Sequence, residues 1–245
     1  GKTSTKETIS SVLSEKYRVL KTLGNFNNEI GLPLTVFRLT EDDEVAVLEM
    51  GISDFGEMDR LSKIAQPDIS VITNIGLCHL ENLKTRDGIL KAKTEIFNNM
   101  KPDGIAILNG DDDKLITVDE VNGKKPERFG INYKDGVYAK DIENLGLSGT
   151  KFVISGLNCV DGCKDFEVTV PVPGHHMIYN ALAAACVGAA LELTSAQIAD
   201  GITDLKTISG RNNIIKTSKY TLIDDCYNAN PVSMQAGVRL LSEVP

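Results

Sequence analysis

Residues 69–108 read ISVITNIGLCHLENLKTRDGILKAKTEIFNNMKPDGIAIL, and their pattern decides the fold. Two short apolar runs, Ile69-Ser-Val-Ile72 and Ile105-Ala-Ile-Leu108, are strand candidates. Between them, residues 88–100 follow a helical pattern. Upstream, Val45-Ala-Val-Leu48 is a third strand candidate, and residues 56–65 form a helical stretch stopped at Pro67. Residues 3–13 carry Ile9, Val12 and Leu13 at helical spacing. Strand and helix in alternation predict an α/β fold, an open and mostly parallel sheet flanked by helices.

The middle of the chain breaks this rhythm. Residues 132–172 lack a helical period and hold Val137-Tyr138, Phe152-Val-Ile154 and Phe166-Glu-Val-Thr-Val170 between glycine-rich turns. They predict a small antiparallel β insert. Helices are expected again over 177–193 and 195–205, with Thr194-Ser195 capping the second. A boundary is expected near Ser209-Gly210-Arg211, dividing a first unit, 1–210, from a second, 211–245. The second holds a strand candidate, Thr221-Leu-Ile-Asp224, and a helical stretch, 231–241. That is too little for its own core, so it reads as the start of a truncated α/β domain.

Composition bounds the function. The chain has 245 residues, 42% hydrophobic and 24% charged, with formal net charge -8. Such an acidic balance argues against general nucleic-acid binding. No apolar run approaches the roughly 18 residues that span a bilayer, and the first residues lack the apolar stretch of a secretory signal. A cytoplasmic protein without a membrane anchor is expected. Five cysteines are scattered, and the lone Cys159-x3-Cys163 pair reads as free thiols in a reducing cytosol rather than as a zinc site.

Gly1-Lys2-Thr3-Ser4 followed by a helix matches the second half of a G-x-x-x-x-G-K-[ST] phosphate loop, or else an ordinary helix start. In the first reading, backbone N–H groups at the helix N-terminus cradle phosphates, Lys2 reaches the β- and γ-phosphates, and Thr3 offers a hydroxyl to Mg²⁺. Glu49 ends an apolar strand, where a carboxylate either meets a hard cation over the ligand crevice or is simply solvated. Thr73-Asn74-Ile75-Gly76 closes the next strand with His79 just beyond, and Lys93 lies on the following helix. A loop histidine and a helix-face lysine both admit structural readings.

Together these segments resemble the Mur ligases, ATP-dependent amide-forming enzymes of peptidoglycan synthesis. Gly1-Lys2-Thr3-Ser4-Thr5 is similar to the end of their ATP loop. Thr73-Asn74-Ile75-Gly76 with His79 resembles T-N-I-G-x-x-H. Lys91-Ala92-Lys93-Thr94-Glu95-Ile96 resembles the stretch that carries their carbamylated lysine, which falls on Lys93. Pro173-Gly174-His175-His176 through Asn180-Ala181-Leu182-Ala183-Ala184 resembles the adenine-side motif, although Met177 replaces its usual first Asn. Within the family, Gly24-Asn25-Phe26-Asn27-Asn28 with Gly31-Leu32-Pro33-Leu34, and Glu49-Met50-Gly51 with Gly56-Glu57, look like the branch that adds D-alanyl-D-alanine. So does Asp225-Cys226-Tyr227-Asn228-Ala229-Asn230-Pro231 with Ser233.

The resemblance implies a central ATP-binding domain over 1–210, joined to the beginning of a C-terminal ligase domain. It implies amide-bond formation between UDP-N-acetylmuramoyl-tripeptide and D-alanyl-D-alanine through an acyl phosphate, in a monomer. Two Mg²⁺ ions are implied: one on Thr3 and Glu49, one on His79 and a CO₂-derived carbamate of Lys93. Asn180 is assigned to adenine, Asp225 to ribose, Arg211 to the phosphates, and Asn27, Asn28 and Asn74 to the reacting groups. A chain of this extent, short of both outer domains, is expected not to turn over alone. A related ligase for another amino acid and a non-catalytic nucleotide-binding module are the alternatives.

Overall fold

A computed structural model describes residues 1–207, 210–229 and 231–242. The helices are α1 (Lys2–Leu13), α2 (Gly31–Val36), α3 (Glu57–Ala65), α4 (Leu80–Leu83), α5 (Arg86–Thr94), α6 (His176–Ala190), α7 (Ser195–Thr203) and α8 (Pro231–Ser242). The strands are β1 (Val19–Lys21), β2 (Val45–Val47), β3 (Ile69–Ile72), β4 (Ile105–Asn109), β5 (Glu127–Gly130), β6 (Val137–Asn144), β7 (Thr150–Ser155), β8 (Asp165–Val170), β9 (Asn213–Lys216) and β10 (Thr221–Asp224).

The main sheet has six strands in the order β3-β4-β5-β6-β7-β8. Pairing is parallel from β3 to β6 and antiparallel from β6 to β8. The antiparallel segment is thus present as expected, but it continues the parallel sheet through the β5–β6 pair instead of standing apart. Strands β1 and β2 form a separate parallel pair, and β9 and β10 an antiparallel hairpin.

The apolar residues of β4 explain the layering. Ile107 packs into a core with α1, α6 and α7, while its neighbour Leu108 packs into a second core with α3 and α5. Successive strand residues face opposite sides, so a helix layer covers each face. Helix α6 is buried from Ala181 to Val187. Alanine favours helix and lets neighbouring helices approach closely. Helix α7 begins on a complete capping box, with Thr194 accepting from Gln197 N–H and the Gln197 side chain accepting from Thr194 N–H. Helix α5 starts at Arg86, earlier than its periodicity suggests, with Thr85 Oγ1 accepting from Gly88 N–H at 3.0 Å. It tightens into a 3₁₀ turn over Glu95–Asn99.

Helix α1 is wedged in place. A Cβ on Gly201 of α7 would lie 2.4 Å from Val12 Cα of α1. Side-chain growth there must push α1 away from its seat. We predict that Gly201→Ala costs about 1–3 kcal/mol, the range for overpacking a dense core. Denaturant unfolding measures this, and an unchanged midpoint would contradict the close contact.

Candidate active site

Four chain segments converge where strands meet their following loops, the place where open α/β sheets bind ligands. Helix α1 begins there. Gly1 is its N-cap, and the first turn has neither a side-chain cap nor an acidic residue. Its leading N–H groups and the positive end of its dipole are therefore left for an anion. Thr3 is buried just inside, and Lys2 is exposed.

Glu49 sits at the end of β2 and is 6% exposed. Its N–H donates to Thr22 Oγ1 at 2.9 Å, and its Oε1 accepts from Asn27 Nδ2 at 2.8 Å. Its Oε2 is buried without a hydrogen bond. Asn27 is in turn fixed by its backbone carbonyl, which accepts from Gly51 N–H at 2.7 Å. Glu49 is held at two points, its backbone N–H and one carboxylate oxygen, with the other oxygen uncommitted.

Lys93 projects from α5 and donates from Nζ to the Asn74 carbonyl at 2.6 Å, tying the helix to the loop after β3. Loss of hydration, and then the positive charge of Lys2, push its ammonium down to about 8; Cys78 and Asp112 oppose this. Near neutrality Lys93 is therefore still mostly protonated, but holds far more free amine than an ordinary lysine.

The segment beyond residue 209 docks on the same region. Gly210 N–H donates to Asp224, Asn212 N–H to Asp225 Oδ1 at 3.2 Å, and Asn212 Nδ2 to the Pro173 carbonyl at 3.2 Å. Arg211 lies over the Tyr227 ring with Cζ 4.2 Å from its centroid. Arg211, Lys2, Glu49 and Asp225 all lie near Gly1. Buried His176, pushed down chiefly by desolvation, is a neutral neighbour. Ser209 of the expected boundary and Asn230 of the second motif lie outside the described residues.

Other expected site residues have different surroundings. Asn180 is buried, with Oδ1 accepting from Thr5 Oγ1 at 2.8 Å, so its amide clamps α6 to α1. Asn28 Oδ1 accepts from the Ile30 and Gly31 N–H groups and shapes the turn into α2. Asn74 and Ser4 keep accessible surface. His79 is exposed and left-handed (φ 64) at the start of α4, and among the described residues no hydrogen bond ties it to Glu49 or Lys93. Nor do three or more His, Cys, Asp or Glu of the described residues cluster to hold a metal. The donors suit a cation that fills its shell with phosphate oxygens and water, as Mg²⁺ does.

Sequence reasoning overlooked three parts. Lys6 and Thr22 form a buried polar link beneath Glu49. Asn109-Gly110-Asp111-Asp112 follows β4: Asn109 Nδ2 donates to the Thr73 carbonyl, and Asp111 accepts from Ile131, Asn132 and Tyr133 N–H and from Tyr179 O–H. Its polar run directly after an apolar strand was the available signal. An open cleft of about 870 Å³ lies elsewhere, at the starts of β5 and β6 and the end of α6, and meets this group only at Tyr133.

Residues 1–188 match the family model described as Mur ligase middle domain. The chain is 42% identical over 241 residues to the UDP-N-acetylmuramoyl-tripeptide--D-alanyl-D-alanine ligase of Bacillus subtilis (strain 168), covering 98% of this chain and 50% of that protein. It is 37% identical over 247 residues to the enzyme of the same name from Escherichia coli (strain K12), covering 100% of this chain and 54% of that one. The solved MurF structure from Acinetobacter baumannii superposes with TM-score 0.92 at 35% identity, over 100% of this chain and 52% of that one. The MurF ligase from Thermotoga maritima in complex with ADP superposes with TM-score 0.85 at 33% identity, over 100% of this chain and 55% of that one. The chain thus spans about half the length of the curated relatives it matches.

The Lys93 environment predicts a measurable titration. Amine-labelling of Lys93 should reach half its plateau rate near pH 8 rather than at the ordinary 10.5. The unfolded chain binds the extra proton between these values, so Lys93 destabilises the fold below about 8 and stability rises with pH through that window. Site-resolved labelling by mass spectrometry checks this, and an ordinary lysine profile would contradict it.

Proposed function

Because this chain belongs to the Mur ligase family, matching its middle domain, we propose that the protein carrying it joins D-alanyl-D-alanine to UDP-N-acetylmuramoyl-tripeptide with ATP. The observation that carries this reading is the buried Glu49 carboxylate with its unpartnered Oε2, in the same charged group as the uncapped start of α1 and Lys2. A triphosphate and a carboxylate repel each other, and a site for their reaction must gather positive charge around both.

The chemistry runs in two steps. A carboxylate oxygen of the tripeptide attacks the γ-phosphorus, the bond to the bridging oxygen breaks, and ADP leaves. The dipeptide amine then attacks the acyl carbon, phosphate departs with the bonding pair, and the amine loses a proton to solvent. The N–H groups of α1 and Lys2 hold the β- and γ-phosphates. Arg211 approaches the same phosphates, and Asp225 the ribose. The Asp111 and Asn180 side flanks the base. Asn27 holds Glu49 beside the reacting groups, with Asn28 and Asn74 lining the approach.

The residues fit Mg²⁺: Thr3 and Glu49 would hold one ion, His79 and a carbamate of Lys93 a second. When bound, the metal neutralises phosphate charge. An ammonium cannot ligate a cation, but free Lys93 amine can attack CO₂, forming an N–C bond and releasing a proton. The product is an anionic oxygen donor in place of a cation. Desolvation of Lys93 favours that free amine.

Residues 1–210 act in this proposal as the ATP-binding domain, and 211–245 begin a C-terminal ligase domain. Hairpin β9–β10 and α8 support the division. Their apolar residues Ile215, Leu222, Met234, Val238 and Leu241 are exposed, a face suited to the remainder of such a domain. No helix among the described residues is long and apolar enough to cross a membrane.

In the full-length protein, phosphate release from ATP should require both the tripeptide substrate and D-alanyl-D-alanine and yield the pentapeptide by mass. Lys93→Ala should lower that rate on the order of 100-fold, as loss of a metal-site group does. Release with another amine only, or full activity without Lys93, would contradict the reading.

A further inference from the structure

Lys6 lies one turn into α1, with its side chain 3% exposed. Its Nζ pairs with Glu7 Oε1 at 2.8 Å and donates to the Thr22 carbonyl at 2.6 Å. Glu7 is shared with Lys21 on β1. Thr22 is fully buried directly after β1, and its N–H donates to the Val47 carbonyl of β2. Its Oγ1 receives the Glu49 N–H. A continuous chain of polar contacts thus runs from the phosphate-loop helix, through Lys6 and Thr22, to the backbone of the carboxylate with the unpartnered oxygen.

A buried ion pair is a poor way to stabilise a fold, since apolar packing of similar volume often does as well or better. What a directional pair adds is register. Here one end is attached to the helix whose first turn faces the phosphates, and the other to the residue beside the cation donor. We infer that Lys6 is a positioning residue: with Thr22 it sets the distance between the α1 phosphate site and Glu49, so that nucleotide and cation are bound as a unit. This inference rests on the reading that Glu49 binds a divalent cation.

The same geometry separates Lys6 from Lys2. Lys2 is exposed at the phosphate end of α1, whereas Lys6 is buried against the β1–β2 pair. Loss of Lys2 removes charge from the phosphate site. Loss of Lys6 leaves that charge in place and removes the tie between α1 and Thr22, whose Oγ1 holds the backbone of Glu49.

The test uses the full-length protein and two readouts: Mn²⁺ affinity in the presence of ADP, from the paramagnetic resonance of free Mn²⁺, and metal-free ADP affinity by calorimetry. Lys6→Met and Thr22→Val should each weaken Mn²⁺ binding about tenfold, as loss of a group behind a ligand does. Combining them should add little beyond the larger single effect, because they break one chain of contacts. Metal-free ADP affinity should stay within about twofold. Lys6→Arg and Thr22→Ser, which keep donor and acceptor, should retain most of the Mn²⁺ affinity. If Lys6→Met fails to fold, the nearly isosteric Thr22→Val against Thr22→Ser decides alone. Unchanged Mn²⁺ affinity, or an equal loss of metal-free ADP binding, would overturn the inference. Glu49→Gln separates the two levels. If it leaves Mn²⁺ binding intact, the cation reading falls and this inference with it. If it abolishes binding while the Lys6 and Thr22 variants do not, only the positioning role falls.

Discussion

A carboxylate oxygen buried without a partner is among the costlier features a folded protein can keep. Glu49 keeps one, with its other oxygen and its N–H both engaged. The surrounding geometry makes sense as a device for holding that oxygen ready. Asn27 prevents the carboxylate from rotating, Thr22 holds its backbone, and Lys6 ties Thr22 to α1. A divalent cation would satisfy the oxygen and offset the charge, so ligand binding would recover what folding leaves uncompensated.

The fold supplies the rigidity this requires. Helix α1 is packed against α6 and α7, with Gly201 permitting backbone contact at Val12 and Asn180 gripping Thr5. The N-terminal end of α1 is therefore held in place relative to the sheet. Lys93 belongs to the opposite helix layer, and its bond to the Asn74 carbonyl brings that layer to the same edge. Residues 210–229 complete the ring, with Arg211 and Asp225 near Gly1. Charges of both signs meet there, which suits the proposed phosphoryl transfer between anions.

Much of this was legible in the sequence where the signal was local. The apolar runs at β2, β3 and β4 stand out as short apolar stretches, and α1 and α3 by their helical spacing. Strand β5, reading Glu-Arg-Phe-Gly, escaped notice because only Phe129 and Gly130 are buried. Strand β1, Val-Leu-Lys, is too short to show alternation. The junction of the antiparallel strands with the parallel sheet depends on β5–β6 pairing, which no local pattern announces. In the site, the Gly-Lys-Thr pattern pointed to Lys2, a carboxylate after an apolar strand to Glu49, and the family-like stretch on a helix to Lys93. Their mutual placement was not readable, and neither was the burial of Asn180, the role of Asn28 in its own turn, or the polar link through Lys6 and Thr22. Each of these depends on contacts between segments far apart in sequence, and the individual residues look ordinary. For His79 the motif still says more than the geometry does.

The most direct test of the central claim is a crystal structure of the full-length protein with ADP and Mn²⁺, the metal located by its anomalous scattering. The account predicts the diphosphate on the first turn of α1 and a manganese peak with Glu49 Oε2 among its ligands. Nucleotide bound instead in the open cleft beside β5 and β6, or manganese on the phosphates with Glu49 not coordinating, would contradict it.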